Sequence, residues 1–291
     1  MDWTPGGMSS DVEDRRGSSG GGFGFGGGGL GIVGIIFLLI ISLVTGRNYI
    51  GAYLAGGGLA APNTSNRPLT TSPAEQRSAQ LVSFVLNDAQ KTWEKILPEQ
   101  TGHQYRHAKL VLFRDYTQSG CGVAQSQTGP FYCPADEKVY IDLGFWDELR
   151  RLGGSSADFA QAYVIAHELG HHVQNILGIE RQMRRLSAQN PSEKNPLSVM
   201  LELQADCLAG VWGHSTAERG IIDRADVNEG LKAAAAVGDD HIQKMSRGAV
   251  SPESFTHGTS AQRQNWFTRG LNTGEVNQCN TFQSAAAGAS R

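Results

Sequence analysis

The 291-residue sequence predicts an α+β domain, mostly helical with a small sheet, behind a single N-terminal transmembrane helix. Three observations lead there. Apolar stretches at helical spacing, with start and stop signals, fill most of the chain after residue 72. Only two short runs have β character. One apolar segment without a charge stands apart near the N-terminus. The formal net charge of −3 offers no basic surface, so a nucleic-acid partner is not expected.

Residues 1–29 are rich in Gly, interrupted by Phe23 and Phe25, and show no apolar periodicity; they read as a flexible arm. Residues 30–46 run from Leu30 to Gly46, and no charge falls between Arg16 and Arg47. As a helix this segment reaches about 26 Å, enough to span a bilayer with help from its flanks. A cleavable signal peptide is the rival reading, but the apolar run starts late and Leu43-Val-Thr-Gly46 is a weak cleavage site. Arg15 and Arg16 before the segment against Arg47 after it favour the N-terminus inside and the catalytic part outside the membrane. The expectation is a single-pass membrane protein that touches lipid through this helix, with an extracytoplasmic domain. Residues 47–71, with Gly56-Gly-Gly58, read as a linker, and residues 72–291 as the folded domain.

Within that domain, Ser72-Pro-Ala-Glu75 is a capping box that opens a helix to about Ile96, with Val82, Val85, Leu86, Ala89 and Trp93 on one face and Pro98 as its stop. Leu110–Phe113 and Lys138–Leu143 read as short strands between Gly- and Pro-containing loops. Asp226-Val-Asn-Glu229 is a second capping box, and Gly238 ends the helix it opens. The tail from Ser284 is small and polar.

The chemistry concentrates in Asp158–Gly178. Asp158 is placed to accept from the free N–H groups of a first helical turn, and Gly178 suits a left-handed stop. Inside lies His167-Glu168-Leu-Gly-His171. At this spacing both imidazoles stand on one helix face, about one turn apart, where each can reach one Zn²⁺. Glu168 is offset sideways, able to meet a metal-activated water without filling a coordination position.

Two histidines leave a catalytic zinc site one protein ligand short. A third histidine on the same strand of sequence would need Gly at 174 and His at 177, where the chain has Gln174 and Leu177. The alternative is a Glu from a later helix. Asn195-Pro196 opens such a helix, and Glu202 and Asp206 share one of its faces. Glu202 is the expected third ligand, and Asp206 the acceptor that fixes a ligand histidine's tautomer. Four cysteines, Cys121, Cys133, Cys207 and Cys279, include no C-x-x-C pair, so no separate cysteine zinc site is expected. An even number outside the cytoplasm suggests two bridges; Cys121 with Cys133 would close a loop, and Cys207 with Cys279 would tie the Glu202 helix to the C-terminus, among three possible pairings.

His167-Glu-Leu-Gly-His171 followed by Glu202-Leu-Gln-Ala-Asp206 resembles the gluzincin metallopeptidases. The whole chain is similar to the bacterial neutral zinc metallopeptidases of the YpfJ type, on Val12–Gly17, the Gly-rich run into an apolar segment, His167–Gln174, Glu202–Cys207 and Ser254–Arg263. The resemblance implies a zincin-like fold, a zinc ion and a protein or peptide substrate. It also implies a strand just before the zinc helix whose edge pairs with an extended substrate. Val139–Leu143, followed by Phe145–Leu149, is the candidate, an interior strand being the equal alternative. A distal His, Tyr or Arg often steadies the oxyanion in such hydrolases. His257 is the candidate here, with pairing to Asp239 or Asp240 as the plain alternative and Arg263 as a second choice.

The expected protein is therefore a membrane-anchored zinc metallopeptidase with Glu168 as general base. A catalytically silent, metal-containing membrane adaptor and a cell-wall amide hydrolase are the other readings.

Overall fold

A computed structural model describes residues 1–17, 71–126 and 129–282. Met1–Arg16 and the chain from Thr70 onward form one unit, so both ends of the sequence build it.

Among the described residues the sheet has four strands in the order β1 (Val12–Asp14), β2 (Lys109–Phe113), β6 (Lys138–Asp142) and β5 (Phe131–Cys133). The first three run parallel and β5 runs antiparallel to β6. Alternation divides the strands between two layers. Leu110, Leu112, Tyr132, Val139 and Ile141 face the large core under the helices, while Val111, Phe113, Cys133 and Tyr140 face a smaller cluster with Ala124. Ala124 belongs to the hairpin β3 (Tyr116–Ser119) and β4 (Gly122–Gln125). The Cys121–Cys133 disulfide ties that hairpin's tip to β5.

Ser72 caps α1 (Pro73–Thr101), its hydroxyl accepting from the Glu75 N–H at 3.1 Å. The helix does not stop at Pro98. It continues one turn, because a proline near the end leaves only one carbonyl without its N–H partner, and Gly102 in a left-handed conformation closes it. After α2 (Phe145–Arg151) comes the central helix, α3 (Asp158–Ile176), buried on nearly every side. Asp158 lies in its first turn rather than capping it, and its carboxylate is taken by Arg77 and the Trp3 indole, each at 2.7 Å. Gly178, left-handed at φ 75°, separates α3 from α4 (Ile179–Gln189).

Next are α5 (Lys194–Glu218), α6 (Arg224–Ala236), α7 (Asp239–Arg247) and α8 (Ser260–Thr273). The capping box of α6 is Asp223 with Asp226, three residues earlier than the sequence suggested. Helices α5 and α8 cross at Gly210 and Gly270; a Cβ on Gly270 would stand 1.9 Å from the Cys207 carbonyl oxygen. Cys207 on α5 is bonded to Cys279 beyond α8. Two disulfides are chemistry of an oxidising rather than a reducing compartment.

The structure corrects the expected arm over residues 1–29 for its first part. Residues 12–14 add a parallel edge strand to β2, and Asp11 binds Lys109 and His107. Arg16 is buried against Asp14 and Glu75. Charge pairing and backbone hydrogen bonds hold this segment, which is why apolar periodicity did not reveal it.

The same segment corrects the fold class and the location expected from the sequence. A chain that crossed a bilayer once between residues 17 and 71 would leave β1 and α1 on opposite faces, yet Arg16 of the first segment pairs with Glu75 of α1 in one unit. Among the described residues no helix is long and apolar enough to cross a membrane. The long helices α1 and α5 carry charges such as Arg77, Lys91, Glu94 and Glu218 along their length. The expected span at 30–46 and the expected linker at 47–71, except for residue 71, lie outside the described residues, as does the tail from Ser284. The single-pass membrane reading, with its lipid contact and its catalytic domain across the bilayer, is therefore set aside.

Candidate metal centre

Two glycine and alanine positions let the site form. Gly170 lies between the two histidines' turns on α3, and a Cβ there would meet the Ala205 carbonyl oxygen of α5 at 2.9 Å. The helices thus approach backbone to backbone beside Glu202. Gly170→Ala is expected to push α5 outward, lower the melting temperature by several degrees and weaken zinc binding in a chelator competition, since overpacking costs about 1–3 kcal/mol.

At this crossing His167 and His171 stand one turn apart, ring centroids 4.8 Å from each other and nearly perpendicular. Glu202 Oε2 lies 3.2 Å from His167 Nε2, and Oε1 lies 3.5 Å from His171 Nε2. The three side chains offer ligand atoms all within 4.8 Å of one another. Ligands of a tetrahedral zinc at about 2.0–2.1 Å stand about 3.3 Å apart, so the spacing fits the ion. The donor set, two imidazoles and a carboxylate, is also zinc's. His171 and Glu202 are the more open side, each with 18% of the side chain exposed, and His167 and Glu168 lie deeper.

Each histidine is held from behind. His167 Nδ1 donates to Asp206 Oδ1 at 2.8 Å, which points Nε2 at Glu202. Asp206 is fully buried and also accepts from the Tyr163 hydroxyl and from Arg263, Nε at 2.8 Å and Nη2 at 2.9 Å. His171 Nδ1 donates to Gln174 Oε1 at 2.8 Å.

Burial opposes charge on every group here, and the partners decide the outcome. It disfavours the His167 imidazolium, but the Asp206 carboxylate outweighs it and raises His167 to about 10. His171 is raised against its burial by Glu202. Glu202 is held well below the ordinary carboxylate range by both histidines, and Asp206 is lowered by Arg263 and His167. Glu168 is the exception: burial raises it, with only partial relief from the two imidazoles. Among the described residues no side chain donates a hydrogen bond to it. A buried carboxylate kept from donors is a stronger base than a solvated one.

His257 is not in the cluster. Its loop is wound on Asp239, whose Oδ2 accepts from the N–H groups of Thr256, His257 and Gly258 at 2.7, 2.6 and 2.9 Å. His257 Nδ1 meets Asp239 Oδ1 at 3.1 Å, and this bond raises the imidazole, with the Glu202 charge adding to it; the ring itself is half exposed. Gly258 packs on Val199 and Leu203, three residues before and one residue after Glu202, so the loop stands beside Glu202. Arg263, the second choice for an oxyanion donor, is instead buried and spent on Asp206.

The strand 139–143 is interior, flanked by β2 and β5, so it presents no edge. Among the described residues the edges are β1 on one side and β5 on the other, and the one next to residues 139–143 is β5. Tyr132 on that strand meets His172 Nδ1 at 2.9 Å, next to His171. Gln174, Tyr163 and His172 were not singled out from the sequence. Gln174 and Tyr163 sit at i+3 from His171 and i−4 from His167, a helical spacing that could have marked them as partners.

Comparison with known proteins agrees with this geometry. Residues 1–282 match the family described as "Putative neutral zinc metallopeptidase". The chain is 48% identical to the uncharacterized protein YpfJ of Escherichia coli, over 97% of this chain and 99% of that one. It is 42% identical to the uncharacterized protein Rv2575 of Mycobacterium tuberculosis, over 69% of this chain and 70% of that one. No solved structure matches. With a family match over nearly its whole length and a half-identical relative, the chain belongs to the neutral zinc metallopeptidase family.

Proposed function

We propose that the chain is a zinc-dependent endopeptidase whose metal is held by His167, His171 and Glu202. The observation that carries this is the spacing of the three candidate ligand atoms, which would suit one bound ion. Zinc bound there supplies Lewis acidity, polarising the scissile carbonyl and making a water easier to deprotonate. Glu168 takes the proton from the attacking water and returns it to the leaving amine. Asp206 keeps His167 in the tautomer that offers Nε2. His257, steadied through Nδ1 by Asp239, offers its other nitrogen to the oxyanion. The edge of β5 holds an extended peptide by backbone pairing, which reads little sequence and suits a protein substrate.

The test uses the full chain loaded with zinc and a peptide pool of mixed sequence. Cleavage is expected, with loss on chelation and recovery on adding zinc back. Release of fragments from purified cell wall but not from the pool would favour the amide hydrolase. Bound zinc with no cleavage of either would favour the adaptor.

A further inference from the structure

A chain of side-chain amides runs from the Cys207–Cys279 bridge to a ligand of the proposed metal site. Gln204 Nε2 donates to the Cys279 carbonyl at 3.0 Å. Gln174 Nε2 donates to Gln204 Oε1 at 3.0 Å and to the Leu201 carbonyl at 2.8 Å. Gln174 Oε1 faces His171 Nδ1 at 2.8 Å. Gln174, Gln204 and both bridge cysteines are buried.

The direction of this chain is fixed at its far end. A backbone carbonyl only accepts, so Gln204 must turn its NH₂ toward Cys279 and its oxygen toward Gln174. Gln174 must then turn its own NH₂ to Gln204 and Leu201, and its oxygen to His171. An oxygen facing Nδ1 requires the ring proton there, which leaves the Nε2 lone pair for a metal. The disulfide holds the Cys279 carbonyl in place: Cys207 is on α5, five residues after Glu202, and Cys279 is covalently attached to it. Thr281 adds a second tie, donating to the Met200 carbonyl at 2.8 Å.

We infer that Gln174 and Gln204 are positioning residues that transmit the anchored Cys279 carbonyl to His171 and set its metal-binding tautomer. The same contacts lock α3 to α5 beside Glu202, through the Leu201 carbonyl. The relay is to His171 what Asp206 is to His167, but it is neutral and depends on the bridge. This inference rests on the metal-site reading above.

The experiment measures zinc affinity by chelator competition on the full chain and on Gln174→Met, Gln204→Met, the Cys207→Ala/Cys279→Ala pair, and Gln204→Met within that pair. Gln174→Met is expected to weaken zinc about 10–100-fold, the usual effect of removing a ligand's outer partner. Gln204→Met should weaken it less, and should add little once the bridge is gone, because both changes cut one chain. Unchanged affinity in folded Gln174→Met, or fully additive penalties, would overturn the relay. Ring-nitrogen NMR of the zinc-free chain at alkaline pH is the second readout. His171 should carry its proton on Nδ1 in the parent chain and lose that preference in Gln174→Met; an Nε2–H ring in the parent would overturn the inference. A parent chain with Nδ1–H at His171 but no zinc affinity would sink the metal-site reading and leave the relay standing.

Discussion

Glu168→Gln is expected to cut peptide turnover by about 10²–10⁴-fold, the range over which a positioned general base acts, while zinc stays bound. The substitution keeps shape and burial and removes only the capacity to take a proton. Metal retention follows because Glu168 lies outside the group of ligand atoms formed by His167, His171 and Glu202. The size of the effect follows from its surroundings. Burial raises the carboxyl, and among the described residues no donor quenches it, so the group is tuned to accept a proton rather than to pair with a cation. Turnover by purified protein, with zinc measured on the same sample, decides the matter. Loss of zinc together with activity would make Glu168 structural. Full activity in the variant would remove it from the chemistry.

The His–His–Glu cluster was legible because its residues are rare polar groups at helical spacing on otherwise apolar helices. His167, His171, Glu202 and Asp206 each stand out against Val164, Leu169, Leu203 and Leu208, and two helix faces that must both be buried are driven together. Asp206 behind His167 was legible, but the partner of His171 was not. A glutamine such as Gln174 is chemically ordinary, and only its neighbours in space give it a role. The sheet order was also out of reach. β1 is held by pairs such as Lys138–Glu13 and Arg16–Asp14, which leave no apolar pattern, and β5 is three residues long. Without β5 in view, residues 139–143 read equally well as an edge or an interior strand, and β5 is what makes them interior. Without β1 in view, the apolar run at 30–46 read as a single crossing.

The second large effect is expected at Asp206. This carboxylate is fully buried and accepts from His167, Tyr163 and both arms of Arg263. Asp206→Ala leaves the Arg263 guanidinium in the core without its carboxylate, which is expected to cost about 3–5 kcal/mol. It also frees the His167 ring, so zinc affinity should fall about 10–100-fold. The penalty should depend on pH in zinc-free protein. Burial opposes the His167 charge, but Asp206 outweighs it and raises the imidazole from its ordinary 6.5 to about 10. The folded chain therefore binds a proton that the unfolded chain gives up above about 6.5. The stability this supplies is complete below that pH and disappears as pH rises toward 10. Urea unfolding of zinc-free parent and variant should show the widest gap at pH 6, narrowing toward pH 10 to what the Arg263 pair alone contributes. An apolar double substitution, Asp206→Leu with Arg263→Met, should cost less than Asp206→Ala alone, because no charge is then stranded. A double variant as unstable as the sum of its singles, with a gap that ignores pH, would mean that the core here is held by packing and not by the paired charges.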